Sequence, residues 1–211
     1  MKNSRTIPRL LAPAVFCLFS YIAPAQNEPA LLKYYLDAGL GITNRHGVMA
    51  NLGVNGVFKN NWTGSVSFHF AAPRDKNMPS DFKPGLDVIA AVLTGAATKD
   101  YPENKLNIFS LTGGKLIPFN EKLWITLEGG PAFFSGEKFT YSKVDDWLTG
   151  ANYSWTTSKT NQVGATLKAD FVFAVSNWFG LGVGAFSNLN SIQSIIGGEL
   201  KLYFGKLREK K

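Results

Sequence analysis

From residue 33 onward, apolar and polar residues alternate with a period of two along most of the chain. Leu36, Ala38, Leu40 and Ile42 share one face of residues 33–43, opposite Tyr35, Asp37, Gly39 and Gly41. In residues 48–58, Val48, Ala50, Leu52, Val54 and Phe58 oppose Met49, Asn51, Gly53 and Asn55. Trp62, Val66, Phe68 and Phe70 then alternate with Thr63, Ser65, Ser67 and His69. The cleanest run is 162–175, where Val163, Ala165, Leu167, Ala169, Phe171, Phe173 and Val175 oppose Gly164, Thr166, Lys168 and Asp170. Shorter alternating runs start at Leu123, Phe179 and Ile196, and residues 105–119 alternate more weakly. Their phase slips near Gly113-Gly114, which predicts a bulge. The pattern predicts eight strands of about ten residues, the length a tilted strand needs to cross a bilayer. No stretch after the leader approaches the roughly 18 consecutive apolar residues of a helical span.

The connections differ by side. Residues 59–61, 118–122 and 176–177 are short, while 73–105 and 137–160 are long. With both termini on one side, the tight turns lie there and both long loops lie opposite, as in outer-membrane barrels.

A soluble barrel would alternate in the same way, so the two faces must be told apart. Trp62, Trp124 and Trp178 each stand at the first or second position after a short turn, and Phe204 ends a strand on that side. An interfacial aromatic girdle predicts such placement, with Phe70, Phe133 and Phe134 as a second belt. The polar faces are rich in Gly, Ser, Thr and Asn, which suit a crowded eight-stranded interior. Their ionisable residues nearly balance: Asp37, Glu128, Asp170 and Glu199 against Lys168 and Lys201, with Lys115 added if the bulge restores its phase. Buried charges must pair, so these residues predict a salt-bridge network in the lumen. The fold class is an all-β, eight-stranded antiparallel up-and-down transmembrane β-barrel.

Composition fits this reading. The chain has 211 residues, 45% hydrophobic and 18% charged, with Gly 21 and Cys 1. The charge of +7 is concentrated at the ends. Lys2, Arg5 and Arg9 precede the apolar residues 10–23, and Ala23-Pro24-Ala25 reads as a cleavage site, so 1–25 is expected to be a signal peptide. Residues 26–32 form a lead-in, 33–205 the barrel and 206–211 a basic tail. The body between leader and tail is nearly neutral and offers no basic face to nucleic acid. Cys17 would leave with the leader, which excludes disulfide and thiol chemistry from the mature chain.

The runs Tyr35-Leu36-Asp37-Ala38-Gly39-Leu40-Gly41, Leu127-Glu128-Gly129-Gly130-Pro131 and Gly198-Glu199-Leu200-Lys201-Leu202-Tyr203-Phe204 carry a resemblance. The chain resembles the small eight-stranded outer-membrane β-barrel proteins of the OmpA and OmpX type, a class often termed porin family. The resemblance implies a bacterial (Gram-negative) outer-membrane location with the lipid bilayer as partner. It also implies a terminal aromatic read by the assembly machinery, whereas here residues 205–211 follow Phe204.

Some barrels of this architecture are enzymes acting on lipid A or acyl chains at the rim. The best nucleophile, base and carboxylate available are Ser67, His69 and Glu128. At i, i+2 spacing the Ser and His stand about 6 to 7 Å apart, longer than a hydrogen bond, and polar lumen filling is the preferred reading. His46 falls in a short loop, and two histidines so placed give no metal constellation. No cofactor is expected. The apolar segment 88–97 could cover the mouth or form a pocket for a hydrophobic solute. Trp147, Tyr153 and Trp155 either pack together or present aromatic rings to an extracellular protein or glycan, so loops 73–105 and 137–160 are the candidate interaction surface. The expected function is a monomeric, non-enzymatic barrel with a packed polar lumen and a structural or surface-interaction role, with the enzyme and solute-binding readings as alternatives.

Overall fold

The computed structural model describes residues 31–83, 102–144 and 150–208. The leader, the segment 88–97 and Trp147 lie outside the described residues. Eight strands form a closed barrel: β1 Leu31–Thr43, β2 Val48–Phe58, β3 Trp62–Ala72, β4 Leu106–Pro118, β5 Leu123–Lys143, β6 Tyr153–Ala174, β7 Phe179–Leu189 and β8 Ile195–Lys206. Each strand is antiparallel to its neighbours, and β8 returns to β1, pairing Leu40 with Leu200. Closure leaves no strand of the ring with an unpaired edge, while the β5–β6 hairpin extends beyond it.

The alternation is inverted relative to a soluble barrel. Leu40 is 72% exposed on the outer wall and Val163 76%, while Asp37, Asn51, Ser67, Lys168 and Lys201 are buried inside. An outer wall of large exposed apolar side chains is stable only against another apolar phase. The molecule is therefore a transmembrane β-barrel.

The lumen is layered. At the loop end Met49, Leu106, Ile108, Phe134, Phe186 and Ile195 form an apolar plug. A second plug at the turn end contains Tyr35, Val57, Leu116, Trp124, Tyr203 and Leu207. The polar and charged residues lie between them. Inward apolar residues at both ends explain why β4 alternates weakly in sequence, since Leu106, Ile108 and Leu116 face in while Phe109 and Ile117 face out.

The expected bulge at Gly113-Gly114 is absent. Asn107↔Ser135 and Pro118↔Trp124 lie on one continuous register, as do Trp62↔Lys115 and Ala71↔Leu106. The glycine serves a different need, because a β-carbon on Gly114 would collide with the Leu127 carbonyl. The unbroken phase also turns Lys115 to the outer face, where it stands 4.2 Å over the Trp62 ring.

The long loop expected over 137–160 is largely a β-hairpin. Pairing of β5 with β6 continues up to Lys143↔Tyr153. The other long loop returns on itself near its base, where Arg74 bridges Glu103 and the Asn104 amide donates to the Pro73 carbonyl at 2.8 Å.

Candidate functional site: the lumen network and the two ends

Inward positions on β1, β6 and β8 bring three carboxylates around one ammonium. Lys201 Nζ lies 3.0 Å from Asp170 Oδ1, 2.9 Å from Glu199 Oε1 and 3.9 Å from Asp37 Oδ1. Asn51 Nδ2 donates to Asp37 Oδ1 at 2.7 Å, and Asn55 Nδ2 donates to the other oxygen. Gly184 pairs with both Asp170 and Glu199, so a residue without a side chain separates the two acids. A β-carbon there would meet Asp170 Oδ1 and come within 3.1 Å of Glu199 Cγ.

A second cluster lies on β3 to β6. Lys168 Nζ is 3.1 Å from Glu128 Oε2 and donates to Ser65 Oγ at 2.7 Å. Ser65 Oγ and Thr112 Oγ1 donate to the same Glu128 oxygen at 2.7 and 2.8 Å. The structure thus brings Asp37, Glu128, Lys168, Asp170, Glu199 and Lys201 into the lumen as two clusters. Near-balance of charge is corrected. With Lys115 outside, four carboxylates stand against two lysines among the described lumen residues.

Ser67, His69 and Glu128 do not form a relay. His69 Nε2 lies 3.2 Å from Ser67 Oγ, closer than strand spacing suggests because both side chains lean together. Ser67 Oγ in turn lies 2.8 Å from Ser110 Oγ. Glu128 instead spends its bonding on Ser65, Thr112 and Lys168. His69 is fully buried beside the loop-end plug. His46 sits exposed in the 44–47 turn with φ of 54°.

The girdle is divided. Trp62 (55% exposed), Trp178 (56%) and Phe204 (47%) stand on the outer wall at the turn end. Trp124 does not join them: it is 0% exposed and packs in the turn-end plug. Even positions of β5 point inward, so a one-residue difference in distance from the turn places its indole in the lumen. The same parity buries Phe134, while Phe70 and Phe133 stay outside.

The C-terminal segment is also part of the site. Gly205 has φ of 142°, a value that side-chain-bearing residues rarely adopt, and it turns the chain so that Leu207 enters the plug. The Gly205 and Leu207 amides donate to the Trp178 and Asn177 carbonyls at 3.0 and 2.8 Å. Packing therefore continues past residue 205, the expected limit of the barrel. The period-two pattern had already ended at that point, so the sequence carried no signal for this plug.

Above the barrel, Phe82 stacks on Tyr153 and contacts Tyr141 and Trp155. Tyr141 donates to Asp75 and Tyr153 to Asp81, each at 3.0 Å. Burial and the Asp75 carboxylate push the Tyr141 hydroxyl well above its ordinary range, and the hydrogen bond to Asp81 raises Tyr153. Tyr153 and Trp155 thus pack with Phe82 and fasten the first loop to the hairpin. Gln193 ties in the β7–β8 connection, donating to the Arg74 carbonyl at 2.6 Å.

No protein-family model and no curated protein matches the sequence. Solved structures do match the fold. The N-terminal β-barrel domain of Pseudomonas aeruginosa OprF is 9% identical, with 82% of this chain and 96% of that one aligned at a TM-score of 0.50. A major outer membrane protein from Thermus thermophilus is 12% identical, covering 82% and 98% at a TM-score of 0.51. With its inverted faces and closed ring of eight antiparallel strands, the chain has the fold of the small eight-stranded outer-membrane β-barrels.

Proposed function

We propose that the protein resides in the bacterial outer membrane after loss of a leader, with its tight turns toward the periplasm and its hairpin loops outside. In this reading it is a non-conducting barrel whose role is structural or surface-interactive, and it has no enzymatic activity. The single observation that carries the reading is the layered lumen beneath a lipid-compatible wall. Two apolar plugs bracket a hydrogen-bonded charge network, a filling expected of a packed eight-stranded interior. The burial of His69 and the engagement of Glu128 elsewhere weigh against rim chemistry. The candidate outer surface is the fastened pair formed by residues 73–83 and the β5–β6 hairpin, which is ordered enough to present a fixed shape to a protein or glycan.

The test has two parts. Membrane-fraction protein run on detergent gels with and without boiling should migrate faster unboiled. Planar-bilayer recordings should then show no large, steady conductance at neutral pH. A soluble protein without a gel shift would refute the membrane assignment, and a stable open pore would refute the packed lumen.

A further inference from the structure

We propose that the turn end of the barrel is an acidic-lipid collar, a surface that selects glycerophospholipids with net negative headgroups in the leaflet it meets. This rests on the membrane reading above. Lys59, Lys115, Lys122, Lys206 and Arg208 lie at this end, with Glu121 as the one acid on the rim among the described residues. Lys33 faces inward, its Nζ 4.2 Å over the Trp124 ring. The loop end is basic too, through Arg45, Arg74, Lys76, Lys83, Lys105, Lys138, Lys143 and Lys159. There, however, four acids are interspersed among the described residues: Asp75, Asp81, Glu103 and Glu137.

Two of the turn-end lysines are built into the lipid-facing wall. Lys115 pairs with Trp62 and Lys206 with Tyr34, so each stands beside an outward aromatic residue. A lysine on such a face carries its ammonium toward the headgroup layer while its stem stays in apolar surroundings. Lys115 is held there in advance. Its Nζ lies 4.2 Å over the Trp62 ring and donates to the Asn60 carbonyl at 2.8 Å. An ammonium has three protons, so donor capacity remains for a phosphate oxygen at the same depth. A zwitterionic headgroup brings its own cation to this rim and gains little, whereas an acidic one brings uncompensated charge. The chemistry thus fits an acidic glycerophospholipid.

The test uses the full chain in vesicles of phosphatidylcholine, probed with spin-labelled phosphatidylglycerol and spin-labelled phosphatidylcholine. Motionally restricted lipid should favour phosphatidylglycerol several-fold at low salt, and the preference should fall steeply at high salt. Replacing Lys59, Lys115, Lys122 and Lys206 together by Gln should abolish it. The loop-end set Lys76→Gln, Lys83→Gln, Lys138→Gln and Lys159→Gln should leave it intact. If the turn-end set fails to insert, Lys115→Gln alone should lower the preference measurably. Equal restriction of the two lipids by a heat-modifiable barrel overturns the collar but not the membrane reading. Loss of selectivity only in the loop-end set also overturns the collar. A chain that restricts no lipid overturns both.

Discussion

Glu128 and Lys168 are direct register partners across β5 and β6, and their charged atoms meet at 3.1 Å with both side chains almost wholly removed from solvent. Lys168→Met would leave the Glu128 carboxylate with only the Ser65 and Thr112 hydroxyls. Breaking a buried pair from one side costs about 3–5 kcal/mol, whereas replacing both partners by apolar residues is often close to neutral. The single variant should therefore lower the urea midpoint of the folded, fast-migrating band markedly, and Glu128→Leu/Lys168→Met should recover most of the loss. Equal loss in both variants would mean that the pair itself is a net stabiliser.

Gly184 and Gly198 pose a matched contrast on neighbouring strands. Gly184 faces the lumen between Asp170 and Glu199, and a side chain there collides with a carboxylate. A β-carbon on outward Gly198 would meet nothing closer than the Gly184 carbonyl at 3.6 Å. Gly184→Val should cost about 1–3 kcal/mol through overpacking. Gly198→Val should stay within about 0.5 kcal/mol of the parent. Thermal loss of the unboiled band measures both.

Leu207 closes the turn-end plug from outside the strands. Leu207→Ala should destabilise the barrel by about 2–5 kcal/mol, the usual range for a buried leucine. Leu207→Asp should be worse, since it places a charge beside Tyr35 and Trp124. A midpoint unchanged in both would show that the C-terminal turn is only peripheral.

The tryptophans should divide by environment. Brominated lipid tails should quench emission from Trp62 and Trp178 but spare that from Trp124, which the lumen encloses. Trp124→Phe should therefore remove mainly unquenchable emission, and Trp62→Phe mainly quenchable emission. The reverse pattern would place the Trp124 indole in lipid.

The Tyr141–Asp75 contact sets a pH window. The folded hydroxyl titrates above the ordinary value of 10.0, raised by burial and by its bond to the carboxylate. A group raised in the folded state contributes stability that is fully present below the unfolded pKa and is lost as pH rises through the folded one. The loop-to-hairpin fastening should thus hold through neutral pH and release only above about pH 10. Phenolate absorbance should show a late-titrating fraction that Tyr141→Phe reduces by one tyrosine. If Tyr141→Phe leaves that fraction unchanged, the contact does not persist in solution.

Alternation determined the number of strands, the short turns their antiparallel succession, and the tryptophan placement with the small polar residues of one face the inversion of the two walls. A two-residue period fixes which side chains share a wall, and alternate Gly, Ser, Thr and Asn positions fit only a tight interior. The paired lumen charges were legible for the same reason, since Asp37, Glu128, Lys168, Asp170, Glu199 and Lys201 all fall on the small-residue face. At the barrel ends Trp124, Phe134, Leu106 and Leu116 turn inward to close the lumen. Their parity matches that of the polar lumen residues Thr126, Glu128, Ser110 and Thr112, so the alternation carries their direction. An apolar side chain beside a turn nevertheless suits a girdle and a plug equally well. Closure of the ring decided that Trp124 is a plug and Trp62 a girdle residue. Contacts between segments distant in sequence likewise joined Leu207 to the lumen and Tyr141 to Asp75. Such contacts depend on which strand ends meet in space, and that geometry exists only once β8 has paired with β1.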